Sequence, residues 1–344
     1  MYNQVKVIKG KLIAIEYLRC YAVLTLVLWH LFYCPQQCWR LSQESFIGSW
    51  GGRFLYWTSS FFIPSANMPL FTFISGYIFA YLISKGKYSV FDVFFLKKVH
   101  RLFIPYIVLG TIICYTSFEA DFASIGFKYM VYGAGSHMWY VLMLFWVFIL
   151  SWFIVSYKLI ILNRLLTLMS LLSPLFFSFF QIEHLPWGMH LTMRYYCYFS
   201  IAMEFYNMSL YKLLNVRNNA IVFGLLYVFF YCLIPITKSN LFAVTITPLK
   251  DVFFCLFMFS LSTILFSKKN KTCKFVGSIS SYGFGIYVFH HWIGWNYYHL
   301  QWIINLLSYN YFLVVSISTI LIFEVSYLLT KWSLLTKVGR YFLS

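Results

Sequence analysis

The sequence predicts an all-α, polytopic integral membrane protein of about ten transmembrane helices with both termini in the cytoplasm. Three observations carry this. Hydrophobic residues make up 61% of the 344 and charged residues only 10%, whereas about a quarter of a soluble domain is charged, so lipid is the solvent for most of the chain. Apolar windows of roughly twenty residues, each long enough to cross a ~30 Å hydrocarbon core as a helix, recur from end to end. Basic residues alternate between rich and poor connecting segments. Residues 1–344 therefore read as one membrane domain, with no stretch left for a soluble one.

The first span, 13–34, is a retained helix and not a signal peptide, because Glu16 and Arg19 interrupt its apolar run and no small-residue cleavage site follows. An outside loop at about 35–65, rich in aromatic, Ser and Gly residues, is a lid, part of an acceptor site or a plain connector. The remaining spans are expected at 66–84, 102–117, 138–157, 160–180, 195–211, 219–236, 249–267, 276–298 and 311–330. With the N-terminus inside, 20 of the 26 basic residues fall on cytoplasmic segments, in keeping with the positive-inside rule. A miscount by one helix destroys that alternation.

The net charge of +17 is thus mainly a topology signal, with attraction to anionic lipid headgroups as a second consequence. No basic arm or nucleic-acid-binding module is visible, so nucleic acid is not an expected partner. The eight cysteines form no C-x-x-C pair and no Cys/His spacing suited to zinc, and no metal is expected. Cys20, Cys114, Cys197, Cys232 and Cys255 lie in spans and read as small buried hydrophobes. Cys34 and Cys38 lie outside, where a short loop disulfide is open to them.

Ionisable groups inside a span cost roughly 3 kcal/mol each, which makes them functional candidates. On the first helix Arg19 and His30 are eleven residues apart, so they share a face, separated by roughly 16 Å along the axis. Glu16 falls on the same stripe. A Glu16–Arg19 pair snorkelling to the headgroups is the plainer alternative, whereas His30 lies deeper, where a neutral imidazole serves as a base. The second helix carries Asn67, then Ser75 and Gly76, which also suit close helix packing. Lys97, Lys98 and Arg101 at the start of the third helix are either an inside anchor or an anion site. Lys98 and Arg101 share a face at i, i+3, and a helix N-terminus there would favour phosphate. His137, Trp139 and Tyr140 open the fourth helix, and Tyr287, His290 and His291 lie near the end of the ninth. An aromatic belt explains these residues one at a time, but not the ordered set.

That set resembles the membrane-bound acyltransferase 3 family. Glu16-x-x-Arg19 followed by His30 is similar to the family's acidic-x-Leu-Arg start with its Arg-x10-His motif. Met68 to Tyr77 resembles its Met-Pro-Leu-Phe-x-x-x-Ser-Gly-Tyr segment, and Lys98 to Tyr106 its Lys/Arg-x-x-Arg-Leu-x-x-Pro-Tyr segment. His137-x-Trp139-Tyr140 and Gly285 to His290 are similar to its later His-x-Trp-Tyr and Gly-Ile-Tyr-x-x-His patterns. The chain departs from the family in having Asn67 in place of His, Glu16 in place of Asp, Cys20 in place of Gly and Lys98 in place of Arg. Asn67 cannot shuttle a proton, and Lys98 keeps the charge without the bidentate fork.

The resemblance implies an O-acyltransferase of the bacterial cytoplasmic membrane. It would move an acetyl group from cytosolic acetyl-CoA, the co-substrate, to a hydroxyl of a cell-surface or lipid-linked glycan at the outer face. Lys97, Lys98 and Arg101 would hold the donor phosphates, while Arg19, aided by Glu16, would orient the thioester. His30 would act as general base or be transiently acetylated. Asn67, Ser75, His137, Tyr140, Tyr287 and His290 would face the acceptor. A polytopic glycan polymerase or lipid-linked sugar flippase shares the composition, and is expected to show paired basic residues on a large outer loop or a continuous polar cavity.

Overall fold

A computed structural model describes residues 2–33, 67–117, 132–133, 137–207, 216–236, 240–266, 269 and 271–343. These residues are helical almost throughout and include no strand, as lipid demands of a chain that must satisfy every backbone group internally. The outside loop at about 35–65, with Cys34 and Cys38, lies outside the described residues.

The helices are α1 (Tyr2–Leu28), continued by a π segment (Trp29–Tyr33), α2 (Met68–Ser84), α3 (Phe91–Lys98), a second π segment (Val99–Phe103) and α4 (Ile104–Ser117). Next come α5 (Trp139–Ser156), α6 (Ile160–Phe179), α7 (Met189–Asn207), α8 (Val216–Ile236) and α9 (Asn240–Phe266). The last are α10 (Lys274–Tyr298), α11 (Gln301–Tyr309), α12 (Tyr311–Ser333) and α13 (Lys337–Leu343).

Among the described residues, seven helical stretches are long and apolar enough to cross a membrane: Leu12–Phe32, Phe91–Thr116, Trp139–Ser156, Ile160–Phe179, Val216–Ile234, Leu241–Phe266 and Tyr311–Ser333. The three other expected spans are also helices. α2 is apolar but short, whereas α7 and α10 are long and diluted by polar side chains. In α10 those side chains include Ser280, Ser281, Tyr287, His290 and His291.

Several boundaries differ from expectation. The helix expected from residue 102 starts at Phe91 and runs on through the π segment, so Lys98 and Arg101 lie in mid-helix and no helix N-terminus is there to help bind an anion. α9 begins at Asn240 and carries Pro248 within it, which neighbouring membrane helices tolerate. α11 and α13 are too short and polar for a hydropathy window to find. Cys20, Cys114, Cys197 and Cys255 are buried as expected, but Cys232 is exposed, on a face of α8 that also exposes Leu225, Val228 and Phe229.

α1 is central, packed against α2, α9, α10 and α12. Among apolar helices in lipid, close packing and interhelical hydrogen bonds replace the hydrophobic drive. A Cβ on Gly76 would collide with the backbone carbonyl of Phe199, so α2 and α7 touch through their backbones. Gly285 likewise meets the Thr330 side chain, with Oγ1 only 2.6 Å from where a Cβ would stand. Gly76→Ala is therefore expected to destabilise the fold by about 1–3 kcal/mol, since backbone cannot give way as a side chain does. A thermal-unfolding comparison in detergent checks this.

Three acidic residues without an evident role now have structural surroundings. Glu204 accepts from Asn163 Nδ2 at 3.0 Å, and the Asn163 oxygen accepts in turn from Tyr196 and Ser200. Asp251 pairs with Lys250 at 3.1 Å, both buried, so the two charges offset each other within α9. Glu324 is exposed on α12.

Candidate functional site

Two polar centres lie along α1, and α10 runs beside both. The first is a cavity of about 280 Å³. Arg19 reaches it from α1, Ser75 from α2, Lys98 from the end of α3, Arg101 from the second π segment and Tyr140 from α5. α10 contributes Ser280, Ser281 and Tyr287, and Leu343 of α13 closes one side. Among the described residues, three cations and no carboxylate line this space.

The cations are held in place by different means. Lys98 is buried, its Nζ 3.3 Å from the centre of the Phe148 ring and 5.5–5.6 Å from those of Tyr88 and Phe94. Aromatic faces partly replace the water such an ammonium has lost. Neither Arg19 nor Lys98 makes a hydrogen bond or ion pair with another described residue. Arg101 acts electrostatically on both, so the three charges repel one another across the cavity. Lys98 is the buried member of the three, and burying an ammonium beside like charges costs free energy that a bound anion returns. Lys97, by contrast, is exposed and does not line the cavity. Glu16 also stays out of it, accepting instead from the Thr272 hydroxyl ahead of α10.

The second centre is a cluster of imidazoles on the far side of Tyr287. His30 lies in the first π segment, with Nδ1 3.0 Å from Nε2 of His290. His290 is fully buried, and its Nδ1 lies 2.7 Å from the Ile286 carbonyl. His291 meets the His30 ring edge-on with centroids 4.9 Å apart, and stacks on His137 at 4.3 Å. Tyr287, which lines the cavity, donates its hydroxyl to the His137 carbonyl, and so touches both centres. Both ring nitrogens of His137 and the Oδ1 of Asn67 are buried without a hydrogen-bond partner among the described residues. No group of three or more His, Cys, Asp or Glu among the described residues is placed to hold a metal ion.

The π segments put chemistry where the helices are irregular. His30 sits in one and Arg101 in the other, and such bulges, in which one turn is widened, recur at functional sites. Arg19 lines a cavity, and Tyr140, His137 and Tyr287 are buried among other helices. Of the sequence candidates, the structure gathers Arg19, Ser75, Lys98, Arg101, Tyr140 and Tyr287 at the cavity, and His30, His137 and His290 in the cluster. Asn67 stands at the N-cap position of α2 without a side-chain capping bond. The sequence reading missed the cage of Tyr88 and Phe148 and the wall formed by Leu343. It also gave His291 no role, although its position beside His290 was the one available signal.

No curated protein and no solved structure matches the chain significantly. The acyltransferase 3 family, whose domain is described as an acyltransferase domain, matches residues 12–331, which include both centres. The chain belongs to the acyltransferase 3 family and is a membrane acyltransferase.

Proposed function

We propose that the protein moves an acetyl group from cytosolic acetyl-CoA to a hydroxyl of a cell-surface or lipid-linked glycan at the outer face of the membrane, through a bundle of ten spans. The observation that carries this reading is the cavity lined, among the described residues, by three cations and no carboxylate, joined through Tyr287 to the imidazole cluster. Lys98 and Arg101 belong to the basic segment 85–101, which the charge alternation assigns to the cytoplasm, so a polyphosphate donor meets them from the side on which it is made. The cavity is at the small end for a ligand pocket, typically ~300–1,000 Å³. It therefore suits the acyl arm and adjoining phosphates of a donor, with the nucleotide left toward the cytosol.

Arg19 would neutralise the donor at the inner end of the path, and His30, roughly 16 Å further along α1, would act on the acceptor hydroxyl. Asn67 and His137, with buried polar atoms that have no hydrogen-bond partner among the described residues, offer hydrogen bonds to a polyhydroxyl acceptor. Comparing glycans from cells carrying the wild type, His30→Ala and Arg19→Ala, at matched protein level in the membrane, tests the proposal. O-Acetyl groups are expected with the wild type and lost in both variants. Acetylation in all three would refute the assignment of these residues, and none with the wild type would refute the acyl group or acceptor class.

A further inference from the structure

We propose that His290 is a positioning residue that fixes the tautomer of His30, leaving His30 Nε2 as the one basic nitrogen of the pair. The inference rests on His30 being the group that acts on the acceptor. It begins from the Ile286 carbonyl, which can only accept a hydrogen bond. His290 Nδ1, 2.7 Å away, must therefore carry a proton. A neutral His290 then has its lone pair on Nε2, and the atom 3.0 Å from that lone pair is His30 Nδ1. His30 must donate, so its proton is on Nδ1. The lone pair of His30 is left on Nε2.

Neutral rings fit the surroundings. His290 is fully buried, and no carboxylate pairs with it or with His30 among the described residues. The groups facing the pair are aromatic or imidazole: His291 edge-on to His30, and His137 and Tyr287 each with a ring centre 6.3 Å from that of His290. Both His290 nitrogens are already used, which leaves none to contact a substrate directly.

The pair resembles a hydrolase triad in which the orienting carboxylate is replaced by a neutral imidazole. In direct transfer, the acceptor oxygen attacks the thioester carbonyl carbon while its proton passes to His30 Nε2. The C–S bond then breaks, and the same proton goes to the leaving thiolate. While His30 is charged, its Nδ1–H strengthens its bond to His290 Nε2, and the pair shares one positive charge without a counter-ion buried in the membrane. If His30 is acetylated first, the same Nε2 lone pair attacks the thioester carbonyl and the C–S bond breaks to release the thiolate; the acceptor oxygen then takes the acetyl group from Nε2 and its proton goes to the thiolate, so the tautomer requirement is common to both routes.

Solid-state NMR on the full-length protein in bilayers reads the tautomers without reference to activity. Each of the eight histidines follows a different residue type, so carbonyl-labelled Trp with ring-labelled His selects His30, and carbonyl-labelled Phe selects His290. Both rings are expected in the Nδ1–H form at neutral pH. An Nε2–H form or an imidazolium at either position overturns the inference. In parallel, His290→Ala is expected to lower turnover about 100-fold through loss of orientation, and His290→Gln, whose amide oxygen can accept from His30 Nδ1–H, to recover most of it. Equal activity of His290→Ala and wild type, or no recovery with Gln, also overturns it. Undiminished transfer by His30→Ala would instead remove the base assignment, a failure the spectra keep separate from a failure of the pairing.

Discussion

His30→Ala is expected to lower acyl transfer by about 10²–10⁴-fold, the usual contribution of a positioned general base or acid, while leaving the protein inserted and folded. The loss should appear in turnover and leave donor affinity little changed, because His30 does not line the cation-lined cavity. The folding cost is small because His30 is only partly buried and makes one side-chain hydrogen bond, to His290. Steady-state kinetics on purified protein, alongside donor binding measured separately, distinguishes the two effects. Equal losses in turnover and donor affinity would place His30 in the donor pocket instead.

Lys98→Met is expected to move affinity and stability in opposite directions. A charge-assisted hydrogen bond from Lys98 to a donor phosphate contributes about 1.5–3 kcal/mol, so KM for the acyl donor should rise roughly 10- to 100-fold. The free protein gains from the same change. The ammonium is buried, faces two arginines and has only ring faces as partners, and replacing such a charge by an apolar side chain of similar length is often neutral or stabilising. Met also keeps a contact with the Phe148 ring. Titration with the donor and a melting curve on the same preparation test both signs. A lower melting temperature together with unchanged KM would make Lys98 a structural residue.

The helices were legible because lipid imposes a length and a composition that a window of twenty residues detects. That signal weakens where polar side chains dilute it, as in α10. The first helix also gave up its polar stripe readily, since Arg19 and His30 share a face of one element. The pairing of His30 with His290 was hidden, because 260 residues separate them and only the packing of α1 on α10 makes them neighbours. The same holds for the cage around Lys98, assembled from Tyr88, Phe94 and Phe148. Glu16 shares the Arg19 stripe and acts on Arg19 electrostatically, while packing adds the Thr272 hydroxyl as a partner that the sequence did not show.

We propose that one cavity takes the donor from the cytosolic side and that His30 assists transfer of its acyl group to an acceptor on the other. Inside-out membrane vesicles test this directly, with acetyl-CoA labelled in the acetyl group supplied to the exposed cytoplasmic face. The label should appear on glycan enclosed in the vesicle lumen with the wild type, and be reduced at least about 100-fold with His30→Ala. Equal luminal labelling by the two proteins, or wild-type label confined to the face where the donor was added, would contradict it.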